Sequence, residues 1–300
     1  MILVYFFVGT TMLRLVDENE NCMWKNKTPN SHRWCRPIHV SFSKETVQLS
    51  QEWTENLKDQ VNRFETFYIK LYGKRFEITY EVYLTMIDGL MKIRLTDFPT
   101  STNRCPICGG TPNQMSNWDM FKDILPSELE YLLYGICPLH LWIRVLEFIL
   151  NLSYRLDVKQ WRCNPNKIRE AKARVQKAIS EKLNLQVSVV KQGAGTTNNG
   201  NMGRKILNNY VITSECTGIN VNLLKRFNTL LTVINSGFRL NTDAYNIYAK
   251  ETMDLITQEY SWMKLPPSVH SMLVHAGDVQ DLLPFSLGEF SEGQAETLYS

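Results

Sequence analysis

The 300 residues carry 33 Lys and Arg against 30 Asp and Glu, with 44% hydrophobic residues and 13 Phe, 13 Tyr and 7 Trp. That composition argues against an extended disordered chain and suffices for one large domain or two ordinary ones, while the net charge of +3 singles out no partner. Seven cysteines, an odd number with one close pair, argue against a disulfide framework and for a reducing compartment.

The apolar start, Met1 to Met12, lacks a basic leader and a small-residue cleavage site and is too short to span a bilayer. It reads as the beginning of a buried strand, Ile2 to Val16, with a signal peptide as the alternative. Ile38 to Phe42 alternates after a proline and reads as a second strand. Lys44 to Glu65 has apolar residues near helical spacing. Phe67 to Tyr72 and Phe76 to Met86 are rich in β-branched and aromatic residues around a Gly-Lys turn and read as strands. Ser127 to Leu156 is a long apolar pattern interrupted by Pro138. His140, Arg144 and Glu147 within it favour a buried helix pair over a membrane span. Asn166 to Leu185 reads as a basic amphipathic helix, Gln192 to Gly203 as a polar, Gly-rich loop, and Asn222 to Gly237 and Thr242 to Met263 as helices that end at Pro266-Pro267.

Charge is unevenly placed. Val158 to Lys205 holds eleven Lys and Arg against two acids, whereas Ala276 to Ser300 holds five acids and no base. The first segment suits a polyanion or is a solvated helix face; the second suits cations.

Three sets of residues carry candidate chemistry. Cys105-Pro-Ile-Cys108, followed by Gly109-Gly110, has the spacing of a zinc knuckle; a redox pair or two unlinked core cysteines are the alternatives. His270 and His275 stand at H-x4-H, within the range of a zinc pair, though two histidines beside proline also serve as packing residues. The 161 residues between Cys108 and His270 exclude a small zinc finger, so four converging ligands would form a closed structural site. Asp88 follows an apolar run and precedes Gly89, a place from which a sheet can hold a Mg²⁺ ligand or in which a plain Asp-Gly turn forms. Glu292 and Glu296 stand at i, i+4 and share one face if that stretch is a helix, metal-binding or merely solvated.

The order acid, CxxC, basic helix with a Gly/Asn loop, HxxxxH, acid resembles the catalytic region of V(D)J recombination-activating protein 1 and its relatives, the Transib-type DDE transposases, and most nearly arthropod members of that lineage. The matching stretches are KTPNSHRWCRPI (Lys27 to Ile38), LTMIDGLM (Leu84 to Met91), RCPICGGT (Arg104 to Thr111), YGICPLHLWIRVLEFILNLSYRL (Tyr134 to Leu156), KLNLQVSVVKQGAGTTNNGNMGRKI (Lys182 to Ile206), LPPSVHSMLVHAGDV (Leu265 to Val279) and FSEGQAE (Phe290 to Glu296). The resemblance implies an α+β chain. Its parts would be a partial RNase H-like mixed sheet core over residues 1–100, a helical zinc-binding insertion over 101–280, and the start of a C-terminal catalytic helix over 281–300. It implies Asp88 and Glu296 as catalytic acids using Mg²⁺ or Mn²⁺, and Cys105, Cys108, His270 and His275 as Zn²⁺ ligands. Lys167, Arg169, Lys172 and Arg174 of the basic helix, with Arg204 and Lys205, are the expected DNA contacts. His140 falls near the implied active site with no role assigned. A homodimer acting on DNA in the nucleus, with no membrane, is implied as well. The sequence departs from the family in one respect that matters: no acid upstream of Asp88 matches the first catalytic aspartate, since Asp17, Glu18 and Glu20 follow what reads as the second strand. The chain also ends just past Glu296, where the family continues with a basic helix. The expectation is therefore a truncated, inactive transposase relative, or a domesticated DNA-binding protein without catalysis.

Overall fold

The computed structural model describes residues 3–10, 13–17, 19, 21–26, 29, 31, 33–43, 46–79, 82–87, 89–97, 101–121, 128–188 and 198–290, with the backbone alone described for residues 3–10, 35–43 and 290. The chain is α+β; among the described residues helices are in the majority and strands are confined to the first 78 positions. β1 (Leu3–Thr10) pairs antiparallel with β4 (Cys35–Ser43), running from Leu3 opposite Ser43 to Thr10 opposite Cys35. The register slips between Phe7 and Val8, where Pro37 comes opposite Val8; proline has no N–H for the ladder and is tolerated at such a bulge. β2 (Arg14–Val16) and β3 (Cys22–Lys25) form a short second ladder, closed by Asp17, whose carboxylate accepts from the backbone amides of Asn19 and Asn21 at 2.9 and 2.8 Å.

α1 (Val47–Val61) starts at Thr46, whose hydroxyl accepts from the Leu49 amide. β5 (Phe67–Leu71) and β6 (Lys74–Ile78) make the third ladder. Both residues of its turn have positive φ, Tyr72 at 50° and Gly73 at 77°, as a type I′ turn requires. Gly73 adopts this freely, but a tyrosine there is held at a cost of about 1–2 kcal/mol. The three ladders are separate two-stranded sheets, and among the described residues no larger mixed sheet of the RNase H kind forms. The expected strand from Phe76 to Met86 is therefore shorter: it stops at Ile78, residues 82–87 are irregular, and Met86 has φ 53°.

From here the chain is helical: α2 (Gly89–Arg94), α3 (Trp118–Phe121), α4 (Glu130–Leu133), α5 (Pro138–Ser153), α6 (Arg169–Leu183) after a 3-10 turn at Pro165–Ile168, α7 (Gly200–Asn208), α8 (Tyr210–Thr217), α9 (Val221–Ile234), α10 (Thr242–Glu259), α11 (Pro267–Val274) and α12 (Ala276–Leu282), then a 3-10 turn at Leu287–Phe290. Pro138 does not kink a helix; it occupies the first turn of α5, where its missing N–H has no partner to lose. Pro267 does the same for α11, so the block expected to end at Pro266-Pro267 continues instead. None of the described helices is long and apolar enough to cross a membrane.

Two cores organise the helices. The larger takes Val145, Phe148 and Ile149 of α5, Phe227 and Leu231 of α9, Met253 of α10, and Leu273 and Val279 of α11 and α12, together with Cys105 and Ile107. The smaller packs Leu146, Leu150 and Tyr154 against Val175 and Ile179 of α6 and Ile206 of α7. α5 thus serves both, and burying its 0%-exposed leucines and isoleucine at about 1.5–3 kcal/mol each makes it the spine of the chain. The Gly-rich stretch read as loop runs into α7. Asn199 caps that helix through the Met202 amide, and Gly203 lies so close to α5 that a Cβ would sit 2.7 Å from the Trp142 carbonyl. Its glycines bring two helices together rather than loosen a loop; residues 189–197 of the same stretch lie outside the described residues.

Candidate metal centre

Cys105, Cys108, His270 and His275 come together, with one ligand atom from each lying within 4.8 Å of the others. The first pair sits on a tight turn in which the Gly109 amide donates to the Cys105 carbonyl and the Cys105 amide to the Gly110 carbonyl, both at 2.9 Å. Gly109 takes φ 69°, and a Cβ on Gly110 would fall 2.9 Å from the Phe121 ring and 3.3 Å from the Cys108 sulfur. The Cys-x-x-Cys-Gly-Gly spelling is therefore fixed by backbone geometry and by the space beside the sulfur. The second pair comes from α11: His270 faces inward from its middle, and His275 closes it and begins α12.

The surroundings orient these groups. Nδ1 of His270 lies 2.8 Å from the Met115 carbonyl oxygen; a carbonyl only accepts, so Nδ1 carries the proton and Nε2 offers its lone pair 3.3 Å from the Cys108 sulfur. His275 points Nδ1 toward Asp278 at 4.0 Å, while its Nε2 is buried without a hydrogen-bond partner. The Ser271 hydroxyl stands 3.4 Å from the Cys105 sulfur. Phe121 packs edge-on against His270, their centroids 5.1 Å apart. Tyr245 of α10 donates to the Met272 carbonyl at 2.7 Å and so holds α11 in place.

Electrostatics show what the cluster is suited to. Burial works against a thiolate at Cys105, but the Cys108 thiol and the imidazoles of His270 and His275 outweigh it, and the Cys105 pKa falls well below that of an ordinary thiol. Cys108 moves the other way, raised by its hydrogen bond to Cys105, by burial and by the Cys105 charge, with backbone amides at Gly110 and Cys108 opposing. Two sulfurs this close can both ionise only around a cation. An orphaned buried imidazole nitrogen, a second imidazole with its tautomer set by a carbonyl, and two thiols at knuckle spacing form a donor set that fits a tetrahedral metal ion. A zinc tetrahedron places its ligand atoms about 3.3–3.8 Å apart, close to the separation of Cys108 and His270. All four ligand places are taken by protein, which leaves no open position for water.

Beside the cluster lies Lys92 of α2, only 6% exposed, with Nζ 2.5 Å from the Gly135 carbonyl. Burial lowers its pKa from 10.5 to about 8, with the Cys105 charge acting in the opposite direction. Gly135 also receives Thr85 and Met86: a Cβ on it would stand 2.5 Å from the Thr85 hydroxyl and 3.0 Å from the Met86 amide. The segments on either side of residue 88 are thus pinned to the same glycine. Asp88 itself, and Glu292 and Glu296, lie outside the described residues. The turn that leads toward the two glutamates is fixed by Gln280, which donates to the Phe285 carbonyl at 2.9 Å and accepts from the Leu287 amide at 3.4 Å, and by the ion pair of Lys25 with Glu289.

The expected polyanion contacts divide into two groups. Lys167, Arg169 and Lys205 are exposed and have no ion-pair partner among the described residues. Arg174 pairs with Asp157 at 3.1 Å, Lys172 lies over the Tyr154 ring, and Arg204 donates to Asn201 at 3.0 Å and stacks on Trp142. His140 is half-buried on α5. Lys92, Met115 and Ser271 carried no sequence signal: an acceptor carbonyl has no residue-type signature, and Lys92 is spelled like any surface lysine.

No family model matches the chain, and no curated protein matches it.

Proposed function

We propose that the chain derives from a Transib-type DDE transposase related to the V(D)J recombination-activating proteins, and that it binds DNA in the nucleus as a homodimer around a structural Zn²⁺ held by Cys105, Cys108, His270 and His275. The observation that carries this reading is the convergence of two ligand pairs separated by 161 residues into one closed Cys2His2 cluster. A closed site ties distant segments together rather than activating water, and here the segments tied are the Cys105–Cys108 turn and α11. In an RNase H-type reaction a pair of divalent ions, Mg²⁺ or Mn²⁺, supplies charge stabilisation to the attacking and leaving oxygens; Asp88 and Glu296 are the residues that would ligate it. Lys167, Arg169 and Lys205 suit the phosphate backbone, with Lys172, Arg174 and Arg204 beside them.

A second reading, a DNA-binding protein without cleavage, is favoured by Asp17. Its carboxylate closes the turn between β2 and β3 through three bonds to Asn19 and Asn21, which leaves it poorly placed as the first metal ligand of a triad. One experiment separates the readings: purified protein with supercoiled and linear duplex DNA in Mg²⁺ or Mn²⁺. Nicking that Asp88→Ala abolishes supports strand cleavage. Binding that weakens steeply with salt, without nicking, supports the second reading. Absence of binding at low salt overturns both and leaves a zinc-stabilised protein–protein module.

A further inference from the structure

We infer that the β5–β6 hairpin is a nucleic-acid-binding ribbon that lies along duplex DNA, with Lys70 and Arg75 of its exposed face on phosphates and Tyr72 at the tip reaching into a groove. The inference rests on the DNA-binding reading for its partner, but the hairpin argues for an anionic partner by itself. Residues directly opposite in an antiparallel pair share a face. One face therefore carries Phe67 with Ile78, Ile69 with Phe76 and, next to the turn, Leu71 with Lys74; Ile69, Phe76 and Ile78 are half-buried. The other carries Tyr68 with Glu77 and Lys70 with Arg75, all exposed.

Two features of this hairpin disfavour it in isolation. Lys70 and Arg75 are like charges directly across the ladder, an arrangement that weakens a two-stranded sheet. The Arg75 guanidinium leans 3.8 Å over the Tyr68 ring, which lessens the repulsion without neutralising either charge. At the tip, Tyr72 is 102% exposed at φ 50°, where Asn or Gly would sit more easily, and it packs against nothing. Lys70 and Arg75 stand together on the exposed face near this tip, Lys74 lies on the opposite face beside Leu71, and Glu77 is the one acid on the two strands. A strained, fully exposed ring among opposed cations gains nothing within the fold. Bound to DNA, the same arrangement gains at every point: the cations release counterions, and the ring meets base edges. A two-stranded ribbon of five residues per strand fits the major groove, which is about 12 Å wide.

The test uses the full chain and a mixed-sequence DNA duplex, with affinity measured across a salt series. Tyr72→Asn places a residue suited to the turn, so its melting temperature should equal or exceed that of the wild type while its affinity falls roughly tenfold. Lys70→Gln and Arg75→Gln together should flatten the slope of log K against log salt by about 1.8, at 0.9 per phosphate contact. If the wild type binds and both variants match it in affinity and slope, the inference is overturned and the hairpin faces a protein surface instead. If the wild type itself fails to bind at low salt, the DNA-binding reading has failed, a distinguishable result.

Discussion

Lys92 is an ammonium group inside the core with one carbonyl to bond to, and its replacement by methionine has an effect of calculable sign. In the unfolded chain the side chain holds its proton to about pH 10.5; in the folded chain, to about pH 8. Between those values the unfolded state binds more protons, so stability rises with pH across that window. Below pH 8 both states are protonated and the folded state carries the full cost of the buried charge, roughly 3 kcal/mol at 1.36 kcal/mol per pH unit. Lys92→Met removes that cost but deprives the Gly135 carbonyl of its donor, a loss of about 1 kcal/mol. The variant should therefore be more stable than wild type by about 2 kcal/mol at pH 7 and slightly less stable at pH 10.5. Urea titrations of both proteins at half-unit pH intervals from 7 to 10.5 measure this, and taking the difference cancels every lysine and tyrosine they share. A variant destabilised at pH 7, or a difference that does not change with pH, would refute the argument and show that the Cys105 charge outweighs the cost of burying Lys92.

Removing a ligand should act through the metal. Cys105→Ser and His270→Ala should release zinc and lower the melting temperature by ten degrees or more, roughly, because metal-binding energy is folding energy; calorimetry with parallel metal analysis checks this. Gly203→Ala should cost about 1–3 kcal/mol, since a methyl group there meets the α5 backbone at Trp142, with denaturant melts as the readout. Tyr245→Phe removes the bond that steadies α11 at the Met272 carbonyl and should cost about 1 kcal/mol and speed zinc transfer to a chromophoric chelator.

What the sequence disclosed depended on the range of the physics. The Cys-x-x-Cys-Gly-Gly turn is a local device, and its residue types carry its geometry, so it was legible. The histidine pair was legible as a spacing. That the two would meet was not in the spacing and came only from the resemblance, because their approach is determined by α5, α10 and α11 packing around shared leucines. The first strand was readable from its apolar run, though as one piece from Ile2 to Val16 where the chain makes β1 and β2, and Ile38 to Phe42 from alternation; nothing in either segment names its partner, and β1 and β4 pair across a long excursion. Composition misled twice in the same way. Gly200 and Gly203 looked like loop residues but serve as the small side of a helix contact. Pro266-Pro267 looked like a terminator, but Pro267 opens the helix that carries His270. In each case a residue that weakens an isolated helix is tolerated because of where in the helix, or against what, it stands.

The account turns on one ion bound by four side chains, and X-ray absorption at the zinc edge of the purified protein tests that most directly. The expected result is one zinc per chain with two sulfurs at about 2.3 Å and two nitrogens at about 2.0–2.1 Å, and no bound water. A chain that purifies without stoichiometric zinc, or zinc ringed by light atoms alone, would contradict it.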